Sequence, residues 1–300
     1  MTILVTGGSG FVGACLKRIK PSWAYISSQD YNLLDPTAVK AMYKKYKPDA
    51  VVHLAARVGG IKDNTNHQVE YFEQNVLMNL NVIRGAYEAK VPRLLAALST
   101  CAFPDVVAEY PFTEKDIFSG PPAETNFSYG YSKRLLHALV LAYRKQYGLN
   151  YSTFSPSNIY GPGDHFDDDG AHFVPALISK LSKLNDGDTL ELWGTGKSLR
   201  QQMYVDDLCE IIPLLLESHH GPDPLIISPG ENLSIDEMAK ILISQLNIHI
   251  NIRYNKELDG QYRKDGSNNE LLKVIGKYQF TTFAEGIEKT YNWYQKEKGA

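Results

Sequence analysis

The 300-residue chain predicts an α/β protein, a doubly wound parallel sheet followed by a smaller mixed α/β lobe. Three observations predict this. Short apolar, β-branched runs alternate with helical stretches over the first half, the rhythm of repeated βαβ units. A glycine-spaced turn, TGGSGFVG, joins the first run to the first helical stretch. After about Pro156 the rhythm loosens into Gly/Asp-rich and Pro/Gly-rich segments.

Taken in order, TILVT (Thr2–Thr6) is β-branched and stops at glycines, so it reads as a buried parallel strand. FVGACLKRIK follows as a short helix, and AYIS (Ala24–Ser27) as a second strand. DPTAVKAMYKKY opens with an Asp cap and a Pro in the first turn, a helix-start signature. AVVHLAA (Ala50–Ala56) is a strand, and QVEYFEQNVLMNLNVIRGAYEA is a long helix. RLLAALS is a strand ending at Ser99; YSKRLLHALVLAYRKQYG is a helix that Gly148 stops; NYSTFSP is the next strand. The looser half carries helices at HFVPALISKLSKL, SIDEMAKILISQL and FAEGIEKTYNWYQKE. In doubly wound sheets ligands bind beyond the carboxyl ends of the strands, and the motifs below fall there.

Composition narrows the function. Hydrophobic residues are 43% and charged residues 22%, with net charge −3, so neither a nucleic-acid nor a membrane surface is indicated. A phosphate-bearing ligand must be held by local groups. Cys15, Cys101 and Cys209 are widely spaced, with no C-x-x-C. That argues against a disulfide framework or a zinc site and for a reducing compartment, the cytoplasm. The first strand begins almost at Met1, leaving no room for a cleavable leader. No apolar run approaches the roughly 20 residues that span a bilayer.

Gly7, Gly10 and Gly13 form a G-x-x-G-x-x-G array between strand and helix. The first permits a tight turn, the second lets backbone approach a pyrophosphate, and the third lets the helix lie close to the sheet. This makes residues 1–156 a Rossmann-type dinucleotide-binding domain to which some later segments return, and 157–300 mainly a substrate-binding lobe. The second strand ends in Ser27 and Ser28, with acidic Asp30 only later. Small hydroxyls leave space for a 2′-phosphate, so NADP is expected over NAD. WGTGKS resembles the end of a P-loop, but the required first glycine is Glu191, which excludes that reading.

Tyr129 and Lys133 in YGYSK stand four apart, on one helix face. The ammonium favours phenolate; moving a phenol from about 10 to about 7 requires about 4 kcal/mol. Tyr43–Lys47 and Tyr294–Lys298 repeat the interval in charged stretches and read as solvated faces. Ser99 ends the strand before Tyr129 and can bond a substrate oxygen. Cys101 is open to two readings, a small core hydrophobe or a proton-transfer group. Cys15 and Cys209 are assigned to packing.

Glycine loop, strand-end serine and Tyr-x-x-x-Lys together resemble the extended short-chain dehydrogenase/reductase superfamily. Within it the chain resembles the branch of GDP-4-keto-6-deoxymannose 3,5-epimerase-4-reductases. The resemblance runs through HLAARVGGI, LSTCAFP, SNIYGPGDHF, LWGTGKSLRQQMYVDDL and DGQYRK. It implies NADPH-dependent conversion of GDP-4-keto-6-deoxy-D-mannose to GDP-L-fucose by a homodimer. It assigns catalysis to Ser99, Cys101, Tyr129, Lys133 and His172. Cys101 and His172 form the proton-transfer pair, acting on opposite faces of the carbons beside the C4 ketone. Ser99 and Tyr129 hold the enolate oxygen, and Tyr129 protonates the alkoxide formed by hydride transfer. Cofactor contacts fall on Gly7, Gly10, Phe11, Val12, Gly13, Ser27, Ser28, Asp35, Leu54, Ala55, Ala56, Tyr129, Lys133, Ser157 and Ile159. Substrate contacts fall on Val58, Gly59, Asn158, Trp193, Arg200 and Lys264, the last two matching positions suited to the diphosphate. For Asn158, loop support is an equal reading, and for Trp193 core packing is the simpler one.

Two departures stand out. Gly163, Asp164 and His165 replace the family's His-Asp-Asn, and Gln202 replaces its Phe. They leave open a related ketosugar or heptose, processed by epimerase-reductase or simple 4-ketoreductase chemistry. A non-catalytic dinucleotide-sensing regulator is a third reading, which the intact Ser99–Tyr129–Lys133 set argues against. Asp167, Asp168 and Asp169 have the look of a metal cluster, but a solvated loop is simpler, and this chemistry calls for no metal.

Overall fold

The computed structural model describes residues 1–166, 171–246, 248–255 and 261–298. Asp167, Asp168 and Asp169 lie outside them. The first half builds β1 (Ile3–Thr6), α1 (Phe11–Ile19), β2 (Ala24–Ile26), α2 (Pro36–Tyr46), β3 (Ala50–His53), α3 (Ile61–Asn66), α4 (Gln68–Glu88), β4 (Arg93–Ala97), α5 (Phe127–Tyr147) and β5 (Asn150–Pro156). The second half adds β6 (Asn158–Tyr160), α6 (Phe173–Leu181), β7 (Thr189–Leu192), β8 (Leu199–Arg200), β9 (Gln202–Tyr204), α7 (Val205–Ser218) and β10 (Leu225–Ile227). It continues with β11 (Leu233–Ser234), α8 (Ile235–Leu246), β12 (Asn251–Tyr254), β13 (Arg263–Lys264), α9 (Asn269–Ile275) and α10 (Phe283–Lys298).

The central sheet runs β2-β1-β3-β4-β5-β10 and is parallel throughout. This is the doubly wound sheet the alternation predicts. Its direction of winding reverses between β1 and β3, which opens a crevice at their carboxyl ends. Side chains alternate along each strand. Leu4, Val51 and Leu94 therefore meet Met42, Val82, Ile83 and Leu136 on one face. Val5, Val52 and Leu95 meet Leu16, Leu208, Ile211 and Leu215 on the other. The helices of the second face come from both ends of the chain, because α7 lies against α1.

A third core belongs to the second lobe, where Tyr160, Ile178, Leu192, Met238, Leu242, Phe283 and Ile287 pack together. Its strands form small units: β6 with β9, β7 with β12, and the three-stranded β11-β8-β13. These units carry Arg200 and Lys264 over the carboxyl ends of the main sheet.

Several boundaries differ from the sequence reading, and the differences make the site. β3 stops at His53 and not Ala56, because Leu54–Ala56 leave the sheet to cross the glycine turn. β4 stops at Ala97, and Ser99 instead caps a 3₁₀ turn, Thr100–Ala102. α5 starts at Phe127, so Tyr129 sits within its first turn. The solvated-face reading of Tyr43 and Tyr294 is wrong: they are 2% and 6% exposed. Each turns its ring to a core, and the Tyr43 hydroxyl donates to the Val82 carbonyl.

One buried cation ties the layers together. Arg93 donates to the carbonyls of Leu215, Leu216 and His219 at 2.8–3.0 Å, and to Ser152 Oγ at 2.7 Å. It adds to the capping of the last turn of α7, where the Leu215 carbonyl also accepts from His219 N and the His219 carbonyl from Ser152 Oγ. Burial pushes the guanidinium down to about 10, helped by nearby Arg144. Arg93→Met should therefore cost about 2–4 kcal/mol, read as a lower urea midpoint with unchanged m-value.

Candidate active site

Steric constraint shapes the glycine turn. A Cβ on Gly13 would lie 2.2 Å from the Gly7 carbonyl oxygen, and one on Gly7 would lie 2.8 Å from the Ala55 backbone nitrogen. Gly7 also has φ +76°, a conformation that glycine adopts without penalty. Gly10 N-caps α1 without a side-chain cap, so the first-turn N–H groups are available to an anion. Gly8, which the sequence reading passed over, is as constrained: its Cβ would lie 2.7 Å from Tyr25 Cβ.

Beneath the turn lies a buried polar relay that the sequence reading also missed, having taken VVHLAA simply as a strand. Thr6 Oγ1 and His53 Nδ1 are 2.7 Å apart, and His53 Nε2 is 3.0 Å from Asn79 Oδ1. Burial, then the charge of Lys133, push His53 down to about 4, so it is neutral. Asn75 holds the next loop, accepting from Arg57 N at 2.9 Å and donating to the Arg57 carbonyl at 3.1 Å. That loop carries Val58, 52% exposed, and Gly59, whose Cβ would lie 2.2 Å from the Tyr71 hydroxyl.

The other dinucleotide candidates divide. Phe11, Val12, Leu54 and Ile159 are partly buried on the α1 side of the core, and Ala55 on the opposite side. Ala56 is half-buried where the β3 loop continues. Among the described residues, Ser157 Oγ is buried with no hydrogen-bond partner, a donor suited to a bound ligand. Ser27 is engaged: its N–H and hydroxyl donate to Asp30 at 2.8 and 2.7 Å, leaving Ser28 the exposed hydroxyl. Asp35 accepts from Thr37 N at 2.8 Å and caps α2. The glycine cradle, the uncapped helix start and the orphaned Ser157 hydroxyl together fit a dinucleotide.

The turn after β4 explains the Ser-x-Cys spacing. Ser99 Oγ accepts from the Cys101 N–H at 3.2 Å. The cap fixes both side chains on one tight turn. Cys101 is half-buried, whereas Cys15 and Cys209 are buried. Lys264 Nζ lies 3.1 Å from Cys101 Sγ. Burial pushes the Cys101 thiol up; Lys264, the hydrogen bond with Ser99 and the charge of Arg200 outweigh it and hold the thiol below its ordinary range. The charge beside the sulfur is that of Lys264.

Tyr129 is 8% exposed, and its ring meets Tyr71 edge-on at 6.5 Å. Lys133 Nζ is 5.8 Å from the Tyr129 ring centre and donates to the Ala97 carbonyl at 2.9 Å. The sequence predicts a phenolate, and the protein groups around Tyr129 act in the opposite direction. Burial, then the neighbouring thiolate of Cys101, push Tyr129 well above the ordinary phenol range, although Ser99 bonds to it. Lys133 is itself pushed down to about 8 by burial. Tyr129 is therefore a phenol, able to donate a proton.

His172 N-caps α6; its residue surface is exposed, while its imidazole is desolvated by the surrounding protein. Burial, then Lys264 and His165, push its imidazole below 6.5. It is thus mostly neutral near pH 7, more than its ordinary titration predicts. Arg200 and Lys264 are register partners on β8 and β13. Asn158 is half-buried at the start of β6. Trp193 is 63% exposed, which overturns core packing. It leads into a turn in which Gly194 and Gly196 have φ of 73° and 77°. In the neighbouring departure, the Asp164 carboxyl is pushed up to about 7 by burial.

The sequence reading also missed what positions Lys264. Gln201 is buried; its Nε2 donates to the Gly266 carbonyl at 3.2 Å, and its Oε1 accepts from Gly266 N at 2.9 Å. A glutamine beside an arginine carried no signal of this in sequence.

Among the described residues, no cluster of His, Cys, Asp or Glu could hold a metal, and no helix is long and apolar enough to cross a membrane.

Known proteins resemble this arrangement. Residues 3–228 match the model of the NAD dependent epimerase/dehydratase family. GDP-L-fucose synthase of Dictyostelium discoideum is 36% identical over 98% of this chain and 95% of its own. Probable GDP-L-fucose synthase of Drosophila melanogaster is 32% identical over 97% and 96%. A crystal structure of a GDP-L-fucose synthetase from Naegleria fowleri bound to NADP superposes with TM-score 0.91 at 32% identity, covering 100% of this chain and 94% of that one.

Gly13→Ala should weaken dinucleotide binding at least tenfold in a fluorescence titration. Gly230→Ala, whose Cβ meets nothing within 4 Å, should leave binding unchanged.

Proposed function

Because the chain belongs to the NAD dependent epimerase/dehydratase family, we propose that it converts GDP-4-keto-6-deoxy-D-mannose to GDP-L-fucose by epimerisation at C3 and C5 and reduction at C4. The GDP-L-fucose synthases it matches over nearly its whole length support the substrate. One observation carries the epimerase half. A thiol held towards thiolate by Lys264 at 3.1 Å stands on the same capped turn as Ser99. Hydride transfer alone has no use for a thiolate.

NADPH is the proposed cofactor, supported by the Naegleria structure described as bound to NADP and by the exposed Ser28 hydroxyl at the end of β2. The glycine turn and Ser157 would hold it, with Tyr129 and Lys133 serving its reacting end, and it would supply the hydride for C4. The chain's own groups do the rest. Cys101 takes a proton from the carbon beside the ketone, and His172 returns one to the opposite face. Ser99 and the Tyr129 phenol bond the C4 oxygen while it carries enolate charge, in the manner of an oxyanion hole. Tyr129 then protonates the alkoxide. Lys133, charged below about 8, provides the positive field that favours this transfer. Arg200 is poised for the diphosphate.

In D₂O, NADPH oxidation with this substrate should place deuterium at both C3 and C5. Oxidation without label would reduce the reading to a simple 4-ketoreductase. No oxidation with GDP-, dTDP- or UDP-linked 4-ketosugars would overturn it. Cys101→Ser should slow wash-in by about 10²–10⁴-fold, with a smaller loss in reduction of a pre-epimerised ketosugar.

The pH profile of wash-in should be bell-shaped. The thiolate survives to lower pH because the Cys101 pKa is lowered, while imidazolium is lost early because that of His172 is lowered too. The optimum should fall between the two ionisations; a flat profile would count against the pair.

We also read the chain as a cytoplasmic homodimer. Its free thiols suit a reducing compartment. Leu77 on α4 and Leu135 on α5 are 45% and 46% exposed, and Tyr87 stacks on Tyr147 across these adjacent helices, an apolar face suited to a second copy. Light scattering should give twice the chain mass, and Leu135→Glu should lower it; wild-type protein at the mass of a single chain would refute the dimer.

A further inference from the structure

The sequence assigns Lys264 to substrate phosphate, but its ammonium is elsewhere engaged. We propose that Lys264 is a positioning residue for proton transfer, the counter-ion that holds Cys101 as the thiolate base. This rests on the proposed epimerase-reductase reading and deepens it.

The geometry is specific. Lys264 Nζ is 3.1 Å from Cys101 Sγ, the separation of a charge-assisted contact. A flexible lysine reaches such a point reproducibly only if its backbone is fixed, and here it is. β13 pairs with β8, and Gln201 and Ser228 both bond Gly266, two residues on from Lys264. On its far side, Phe112 N donates to the Asp265 carbonyl at 3.0 Å. Arg263 is held by Asp265, so it does not compete for the thiol.

The groups facing the sulfur are Lys264 from β13, Arg200 from β8, Tyr129 from α5 and Ser99 from the capping residue of its own turn. Two of these are cations, one is a neutral phenol and one a hydroxyl. His172, at the start of α6, feels Lys264 and His165. A single positive charge therefore acts on both members of the pair. It makes Cys101 more acidic and makes protonated His172 scarcer and more acidic. In the transfer, the substrate C–H bond breaks, an S–H bond forms, and the electron pair passes to the C4 oxygen at Ser99 and Tyr129. His172 then gives its proton to the opposite face of the ring carbon, and the charge on Lys264 is unchanged throughout.

The test begins with the chain alone, without substrate or cofactor. Iodoacetamide labelling of Cys101, read by peptide mass spectrometry from pH 5 to 10, gives the thiol's titration midpoint. Lys264→Met should raise that midpoint by at least one unit, which makes labelling at pH 7 about tenfold slower. Lys264→Arg, which keeps the charge, should restore most of it. Arg200→Met should give a smaller rise. An unchanged midpoint in Lys264→Met, with its melting temperature preserved, would overturn the proposal. If Lys264→Met melts, failure of Lys264→Arg to keep the wild-type midpoint overturns it equally.

A second arm uses deuterium wash-in. In Lys264→Met the whole bell should move to higher pH, because both ionisations rise. Loss confined to substrate KM, with the profile in place, would instead return Lys264 to phosphate binding and overturn the proposal. A midpoint that shifts in a chain showing no wash-in with any ketosugar would leave the counter-ion intact and refute only the epimerase reading.

Discussion

The chemistry here depends on a buried amide. Gln201 satisfies both the N–H and the carbonyl of Gly266, and through them it fixes the strand that carries Lys264 against the turn after β4. Without those bonds the buried Gly266 N–H would lack its partner, at about 1–3 kcal/mol, and the carbonyl would keep Ser228 Oγ alone. The same amide donates to the Pro229 carbonyl, just after β10, at 3.0 Å, and so ties the lobe's small sheet to the end of the main one. Neither lobe contains the site alone. The main sheet supplies Ser99, Cys101, Tyr129 and Lys133, and the second lobe supplies His172, Arg200 and Lys264. An interface held by mutually satisfied polar groups preserves angstrom-scale geometry better than apolar contact alone, since hydrogen bonds are directional and dispersion is not.

Burial works in opposite directions on the ionisable groups of the site. It disfavours charge on each of them, so Tyr129 stays a phenol, Lys133 falls to about 8 and His53 to about 4. Cys101 is the exception. It too is pushed up by burial, yet two cations and a hydrogen bond reverse the sign. The result is a site in which a sulfur is biased towards thiolate beside a phenol and an imidazole. That inventory suits carbon deprotonation beside a ketone, because a base, groups that can hold the enolate oxygen and a second proton donor stand together.

Most of the scaffold was legible in the sequence, and for physical reasons. Parallel strands buried on both faces leave continuous apolar runs. The glycines are dictated by backbone contacts, so they can be read from spacing alone. Less legible was anything set by a contact distant in sequence. Lys264 and Cys101 are 163 positions apart, and no local pattern announces that an ammonium will meet that sulfur. Tyr43 and Tyr294 failed the other way, since charged neighbours disguised rings that face a core. Trp193 failed because a large aromatic suggests burial, whereas a turn through two glycines at positive φ carries it outward. His53 and Asn79 read as ordinary strand and helix residues until the fold put them end to end beneath the glycine turn.

The order of the two proposed half-reactions also follows from charge. While Cys101 is a thiolate, its negative charge is among the influences that hold Tyr129 above the ordinary phenol range. In that state Tyr129 is a poor acid, suited to hydrogen-bonding an enolate without protonating it. When the sulfur takes a proton from the sugar, the charge passes to the C4 oxygen beside the phenol, and it is discharged only when His172 protonates the ring carbon. Tyr129 then becomes a better proton donor, at the stage when a C4 alkoxide will need one. Stereochemical inversion thus prepares the acid for reduction through one electrostatic contact, without any movement of the chain.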